Sequence, residues 1–267
     1  MGYQDDLMIM SESFRLWAIE SGDASVSSKL CFAEADAGVV IAPDINKFRE
    51  LKLRLLNGTH TFSCGLAFLA GFDTVKEAMQ DAAFSAFIEK LMMDEIAPAL
   101  LSVGISREEA CGFAAKVLDR FRNPSLEHHW LSITMQYSSK MKMRNLPLLE
   151  RHFENNSEVP KLMALGFAAY ILFMKNHDQN GQATGKRNGI DYTVRDDQAP
   201  WFAAVWEAAR EKDIPSVVLS HSAYWETNLS HYPDFLEAVR LNLHTLQNEG
   251  PRAVLNGLRQ QTFSQQA

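Results

Sequence analysis

The chain has 267 residues, 46% of them hydrophobic and 22% charged, and its 26 basic against 33 acidic side chains leave a net charge of −7. That profile allows a sizeable core and argues against nucleic acid or an anionic membrane surface as the main partner. Cys31, Cys64 and Cys111 are odd in number and fall in no CxxC or Cys/His spacing, which speaks against a disulfide framework or a metal site and for free thiols in a reducing compartment.

The N-terminal residues Met-Gly-Tyr-Gln-Asp-Asp have no basic region ahead of an apolar core, and the most apolar run, residues 162–174, is shorter than the ~20 residues a bilayer requires. A cytoplasmic protein without a membrane partner is therefore expected. Residues 3–20 show patches of alternation, with Phe14, Leu16 and Ala18 opposite Arg15, Trp17 and Ile19, which predicts a strand with at least one buried face. Residues 21–28 read as a loop, residues 38–42 as a second short strand closed by Pro43, and Asp44 as the N-cap of the next helix.

From Asp73 onward the pattern is helical almost throughout. Phe84, Phe87, Ile88, Leu91 and Met92 form one apolar stripe, and Ser106-Arg-Glu-Glu is a capping box for a helix that stops at Asn123-Pro124. Residues 127–136 and 144–153 resume the helical period around a basic link, Ser138-Ser-Lys-Met-Lys-Met-Arg144, and residues 159–175 read as a buried helix. Asn180-Gly181 and Asn188-Gly189 mark turns in the one long polar segment, with a small hairpin near 189–194. Helices over 200–212, 232–248 and 251–260 and a polar, frayed tail finish the chain. The expected fold class is mainly α, a multi-helix domain with a few short N-terminal strands.

No GxGxxG, GxxxxGK[ST], HExxH or GxSxG occurs, so the chain carries no dinucleotide or phosphate cradle of its own. What stands out is Lys52, Asn57 and His60 inside LKLRLLNGTHT, a lysine, an amide and an imidazole in an apolar helical pattern. Such groups need partners or a task. On one α-helix at ~100° per residue they fall within an arc of about 140°, so they can converge on one pocket. Gly58 would let the backbone bend there and Thr59 could cap a new helix, placing the trio at a helix junction. Leu51, Leu53, Leu55 and Leu56 would surround Lys52 with apolar groups and depress its pKa toward neutrality, as an acid/base lysine needs. Asn57 could equally end a helix, and His60 could be a satisfied core histidine.

Lys52-x4-Asn57-x2-His60, preceded by FRLWAIE and followed by LAFLAGFDTVKEAM, resembles the C-terminal, substrate-binding domain of the mannitol dehydrogenase family of polyol-specific long-chain dehydrogenases. DRFRNPSLEHHWLSITMQYSSKMKMRNLPLL and NGIDYTVRDD are most similar to the branch of that family that acts on uronates. The resemblance implies an NAD-dependent enzyme interconverting a keto-uronate and an aldonate, with another keto-uronate or a plain hexitol as the alternative substrate. It further implies that Lys52 is the acid/base, that Asn57 and His60 hold substrate oxygens, and that no metal is required. Family members carry an N-terminal Rossmann domain that binds NAD. Residues 1–267 are expected to form a single helical substrate domain without it, which on its own could be a non-catalytic helical module. A sugar-acid carboxylate needs a counter-charge, and the link holding Lys140, Lys142 and Arg144 is the local basic cluster available. Lys140 matches a family position near the substrate and Asn123 another motif position, which a helix stop before Pro124 explains equally well; Lys142 and Arg144 are candidates for the same role or a solvated basic loop, while His128 and His129 read as packing or surface residues.

Overall fold

The computed structural model describes residues 5–7, 14–208 and 214–264. Much of the strand expected over residues 3–20, the end of the helix expected to reach residue 212 and the last residues of the tail lie outside them. The chain is 66% helical, as its periodicity implies, and it divides into two compact units, Met1–Arg49 and Glu50–Ala267.

In the first unit β1 (Trp17–Glu20) and β2 (Val39–Ala42) pair in parallel, with Trp17 opposite Val39 and Glu20 opposite Ala42. Parallel neighbours need a crossover, and helical structure supplies it here. The segment 21–28 is therefore not the expected loop. Asp23 accepts from the Ser25 N–H at 2.8 Å and caps α1 (Ala24–Lys29), so the serine-rich composition hid a capped helix. Asp44 caps as expected, accepting from the Asn46 N–H at 2.7 Å at the start of α2 (Asn46–Glu50).

The second unit is built on helices that are buried nearly all round. Every residue of α3 (Thr59–Leu69) is buried, which is the pattern of a central helix. Capped short helices follow. Thr74 and Glu77 form a capping box on α4 (Val75–Gln80), and Asp81 caps α5 (Ala82–Lys90). α6 (Ala97–Ala99) precedes α7 (Arg107–Phe121), where the Ser106/Glu109 box forms as the sequence implies. α8 (Trp130–Ile133) is one turn, α9 (Tyr137–Lys140) and the turns after it to Asn145 occupy the region read as a basic link, and α10 (Leu146–Asn155) is the helix expected over residues 144–153. That link is helical. Lys140, Lys142 and Arg144 give it a basic look, but Tyr137, Ser138, Met141 and Asn145 are buried at helical spacing.

α11 (Lys161–Phe173) crosses α3 at two glycines. A Cβ on Gly166 would lie 2.7 Å from the Phe62 carbonyl, and one on Gly65 would lie 3.0 Å from the Ala169 carbonyl. These are close approaches that only glycine allows. β3 (His177–Gln179), β4 (Gln182–Arg187) and β5 (Ile190–Thr193) form an antiparallel sheet. Its two turns are Asn-Gly pairs with positive φ at both residues, 56° and 80°, then 51° and 81°, the geometry that matches strand twist. Tyr192 pins the sheet to α11 by donating to the Phe173 carbonyl at 2.7 Å. α12 (Ala199–Ala208), α13 (Ile214–Leu219) and α14 (Ser222–Trp225) lead to α15 (Pro233–Asn248), which packs on α11, and to α16 (Pro251–Ser264). α13 and α14 are elements the sequence reading did not anticipate. No helix among the described residues is long and apolar enough to cross a membrane.

Among the described residues three stretches wind as π-helix: Leu51–Gly58, Leu91–Ile96 and Met141–Asn145. The latter two lie just before Pro98 and Pro147, which have no N–H for the carbonyl four residues back and so release the regular ladder. The first contains no proline and owes its width to a neighbouring side chain.

Candidate active site

The Leu51–Gly58 and Met141–Asn145 stretches pack against each other, each supplying what the other's open backbone lacks. Pro147 leaves the Met143 carbonyl without its helical donor, and Arg54 fills the place. Its Nη1 donates to the Met143 carbonyl at 2.8 Å and to the Arg144 carbonyl at 2.7 Å. In return Asn145, with its amide nitrogen toward Gly58, donates to the Gly58 carbonyl at 3.2 Å and accepts from the Phe62 N–H at 3.3 Å. Those two groups would bond each other in a regular α-helix. A side chain inserted into the ladder widens the turn. Gly58 is small to admit it, since a Cβ would sit 3.2 Å from Asn145.

The expectation of a bend at Gly58 and a helix cap at Thr59 is corrected by these contacts. Gly58 has helical dihedrals of −64° and −45°, and the Thr59 hydroxyl donates back to the Leu55 carbonyl at 2.6 Å. The trio sits on a widened helix, and the widening serves it. In an α-helix Lys52 and Asn57 would lie ~140° apart, whereas a π turn closes on the fifth residue and brings i+5 back toward the azimuth of i.

Arg54 is itself held by Glu50, whose carboxylate accepts from Nε at 3.1 Å and Nη2 at 3.2 Å and from Arg151 Nη1 at 2.6 Å. Burial works to raise the Glu50 pKa, but the hydrogen bonds and charges of Arg54 and Arg151 prevail and hold it below the usual carboxylate value.

Lys52, Asn57 and His60 differ from this network in one respect. Neither the ammonium, the carboxamide nor either imidazole nitrogen has a hydrogen-bond or ion-pair partner among the described residues. Lys52 is exposed, so the apolar enclosure expected from its leucines is absent. Leu51 and Leu55 are buried on another side of the same helix. Asn57 is half-buried.

His60 is 6% exposed, its ring edge-on to Phe121 at 4.1 Å and near Trp130 at 5.8 Å and His128 at 5.2 Å. Burial, then the charges of His128, Arg120 and Arg144, push its pKa well below the ordinary histidine value. It is therefore a neutral imidazole at pH 7, able to donate one hydrogen bond and accept another.

The expected substrate-binding residues separate. Arg144 is beside the trio, donating from Nη1 to the Thr61 hydroxyl at 3.3 Å, and burial lowers its pKa. Lys140 is committed elsewhere: its Nζ donates to the Ile133 carbonyl at 2.8 Å, and burial, then Arg144, lowers its pKa. Lys142 pairs with Glu226 at 2.9 Å. Asn123 accepts from the Ser125 N–H at 3.0 Å in the turn after α7, a helix-stop role. His128, read as a packing or surface residue, is exposed and lies against the His60 ring, and Arg120, whose charge acts on His60, is the residue that sequence reading did not single out. The trace they left was Phe121 and Trp130, the aromatic walls of His60, beside and near them. Among the described residues no group of three or more potential metal ligands comes together.

Residues 44–247 match the family model for the mannitol dehydrogenase C-terminal domain. The chain is 36% identical over 265 residues to an altronate oxidoreductase of Klebsiella pneumoniae and 34% identical over 265 residues to one of Pectobacterium atrosepticum, covering 96% of this chain and 52% of each relative. It thus spans about half the length of the curated relatives it matches. Mannitol 2-dehydrogenase of Pseudomonas fluorescens, solved as a ternary complex with NAD and D-mannitol, superposes with a TM-score of 0.71 at 26% identity over 84% of this chain and 43% of that one. A substrate-free D-sorbitol dehydrogenase shares the fold with a TM-score of 0.63 at 21% identity, over 82% of this chain and 42% of that one. The family match over most of the chain, with these relatives beside it, shows that this chain belongs to the mannitol dehydrogenase C-terminal domain family.

Proposed function

We propose that this chain is the substrate-binding half of an NAD-dependent oxidoreductase that interconverts tagaturonate and altronate. The observation that carries the proposal is the uncommitted trio. In a folded interior polar groups are paired, so the buried His60 imidazole left open, with an open amide and an exposed lysine on the same helix, reads as a group kept for a ligand. The relatives named altronate oxidoreductase support the sugar-acid class, and the neighbour's NAD complex supports the cofactor.

In this reading the Lys52 ammonium gives a proton to the keto oxygen during reduction and takes the hydroxyl proton in the reverse direction. Asn57 donates a hydrogen bond to the same oxygen as negative charge develops on it. His60, neutral and fixed by Phe121 and Trp130, exchanges a hydrogen bond with that or a neighbouring hydroxyl. Arg144 answers the carboxylate. NAD, when bound, exchanges the hydride. The described residues offer it no phosphate cradle, because no glycine-rich turn leads from β1 or β2 into a helix. A Rossmann domain outside this chain is the partner the proposal requires, in a cytoplasmic enzyme.

The exposure of Lys52 favours one further statement: alone, the chain is a non-catalytic helical module, because nothing in it encloses the reacting atoms. The test joins the chain to a nicotinamide-binding domain and follows NADH oxidation with tagaturonate, fructuronate and fructose. Tagaturonate should be preferred. A preference for fructuronate would change the named substrate, a preference for fructose would remove the carboxylate argument, and turnover by the isolated chain would refute the two-domain reading.

A further inference from the structure

Arg144 reaches the trio from far along the chain, and three tethers tie it to the helix that carries Lys52, Asn57 and His60. Its carbonyl accepts from Arg54 Nη1 at 2.7 Å. Its guanidinium donates from Nη1 to the Thr61 hydroxyl at 3.3 Å. The next residue, the fully buried Asn145, joins the Gly58 carbonyl and the Phe62 N–H through its carboxamide at 3.2 and 3.3 Å. A residue held at its backbone, at its neighbour and at its charged end has little freedom to drift from that helix.

Thr61 is the joint between the two ends of the proposed site. It is fully buried, and its hydroxyl donates to the Asn57 carbonyl at 2.8 Å. A hydroxyl has a single hydrogen, so with that one spent its oxygen can only accept, and the order from Arg144 through Thr61 to the Asn57 carbonyl is fixed. One oxygen thereby links the residue proposed to meet the substrate carboxylate to the backbone of the residue proposed to meet the reacting oxygen. Among the described residues Thr61 is the one hydrogen-bond partner of the Arg144 guanidinium, which leaves the rest of the fork for a planar carboxylate. Holding a long side chain in place before the ligand arrives removes an ordering cost from binding. Asn145 acts on the other end. Its carboxamide stands where the Gly58 carbonyl and the Phe62 N–H would meet in an α-helix, and without it the turn can narrow and carry Asn57 away from Lys52.

We propose that Thr61 and Asn145 are positioning residues that register Arg144 against Asn57, so that one substrate molecule meets both, with its carboxylate and its keto oxygen, in a single pose. The proposal rests on the function proposed above and deepens it. Neither residue touches substrate: Thr61 acts through Arg144, and Asn145 acts through Asn57.

The test is steady-state kinetics with tagaturonate in the two-domain enzyme described above, on variants that melt like the wild type. Thr61→Val keeps the shape and loses the hydroxyl, and should raise KM about tenfold with kcat within about threefold. Thr61→Ser restores the hydroxyl and should return KM to within about twofold of wild type. Asn145→Ala should lower kcat about tenfold or more, with the smaller change in KM. A wild-type measurement stands if a variant fails to fold: in the 267-residue chain the Thr61 hydroxyl proton should give a slowly exchanging NMR signal with a cross-peak to the Arg144 guanidinium, and its absence would overturn the registry. Thr61→Val with unchanged constants, or with kcat lowered and KM retained, would overturn it too. So would equal impairment of Thr61→Val and Thr61→Ser, the mark of packing alone, or a folded Asn145→Ala with kcat retained. Each of these results leaves the proposed function standing, whereas a wild-type enzyme inert toward tagaturonate would overturn that function and the registry with it.

Discussion

Two sides of the Leu51–Gly58 stretch treat polar groups in opposite ways. On one, Arg54 makes four hydrogen bonds, to Glu50 and to the Met143 and Arg144 carbonyls, and Glu50 in turn holds Arg151. On the other, Lys52, Asn57 and His60 make none among the described residues. The helix running through this stretch into α3 therefore carries a saturated network and an open one. The saturated side fixes the widened helix, and the open side is what the widening presents. Burial alone does not separate structural from functional polar groups here, since Arg54 and His60 are both 6% exposed. Commitment to protein partners does.

That contrast can be broken at several points. The largest expected effect is on the saturated side. Arg54→Ala leaves the Glu50 carboxylate and two carbonyls short of donors in a largely buried place, a loss on the order of 3–5 kcal/mol that chemical denaturation would read. A value near zero would mean that the two π stretches hold each other without it.

Next is Glu95, in the Leu91–Ile96 stretch. Its oxygens accept from the Leu162 and Met163 N–H groups, both at 2.8 Å, at the start of α11. Burial raises its pKa from 4.5 to about 7, against the lowering effect of those bonds. The folded state thus holds a proton that the unfolded state has lost between these values. Stability should fall as pH rises from about 4.5 to about 7, by a Glu95 contribution on the order of 3 kcal/mol, and level off above. Glu95→Gln should flatten that slope, and an unchanged slope in the variant would assign it to other groups.

A smaller effect is expected at the crossing of α3 and α11. Gly166→Ala forces a methyl to 2.7 Å from the Phe62 carbonyl, directly behind the trio, and should cost about 1–3 kcal/mol in thermal or denaturant unfolding. A neutral result would show that α11 can move away without consequence.

What was legible in the sequence is what local chemistry decides. The Ser106/Glu109 box, the Asp44 cap and the two Asn-Gly turns are written within four residues of where they act. The trio was visible because a lysine, an amide and an imidazole stand out in a leucine-rich helix. The π geometry was not, because Asn145 and Pro147 act on the Leu51–Gly58 stretch from some ninety residues away. The surroundings of His60 were hidden for the same reason, since His128 and Trp130 meet that ring only in the folded chain. The basic link deceived by composition: its charged residues mask Tyr137, Met141 and Asn145, which are what make it a helix.

The smallest stability effect belongs to the open side, and it bears most directly on the central claim. With no protein partner to lose, Lys52→Ala should change stability by no more than about 0.5 kcal/mol. In the two-domain enzyme the same substitution should lower turnover of tagaturonate by about 10²–10⁴-fold, the share that acid/base catalysis supplies. The decisive measurement is that turnover, made on Lys52→Ala protein shown to unfold like the wild type. A loss of this size with stability retained is the expected result, and turnover within a few-fold of wild type would contradict the assignment of the open face as the active site.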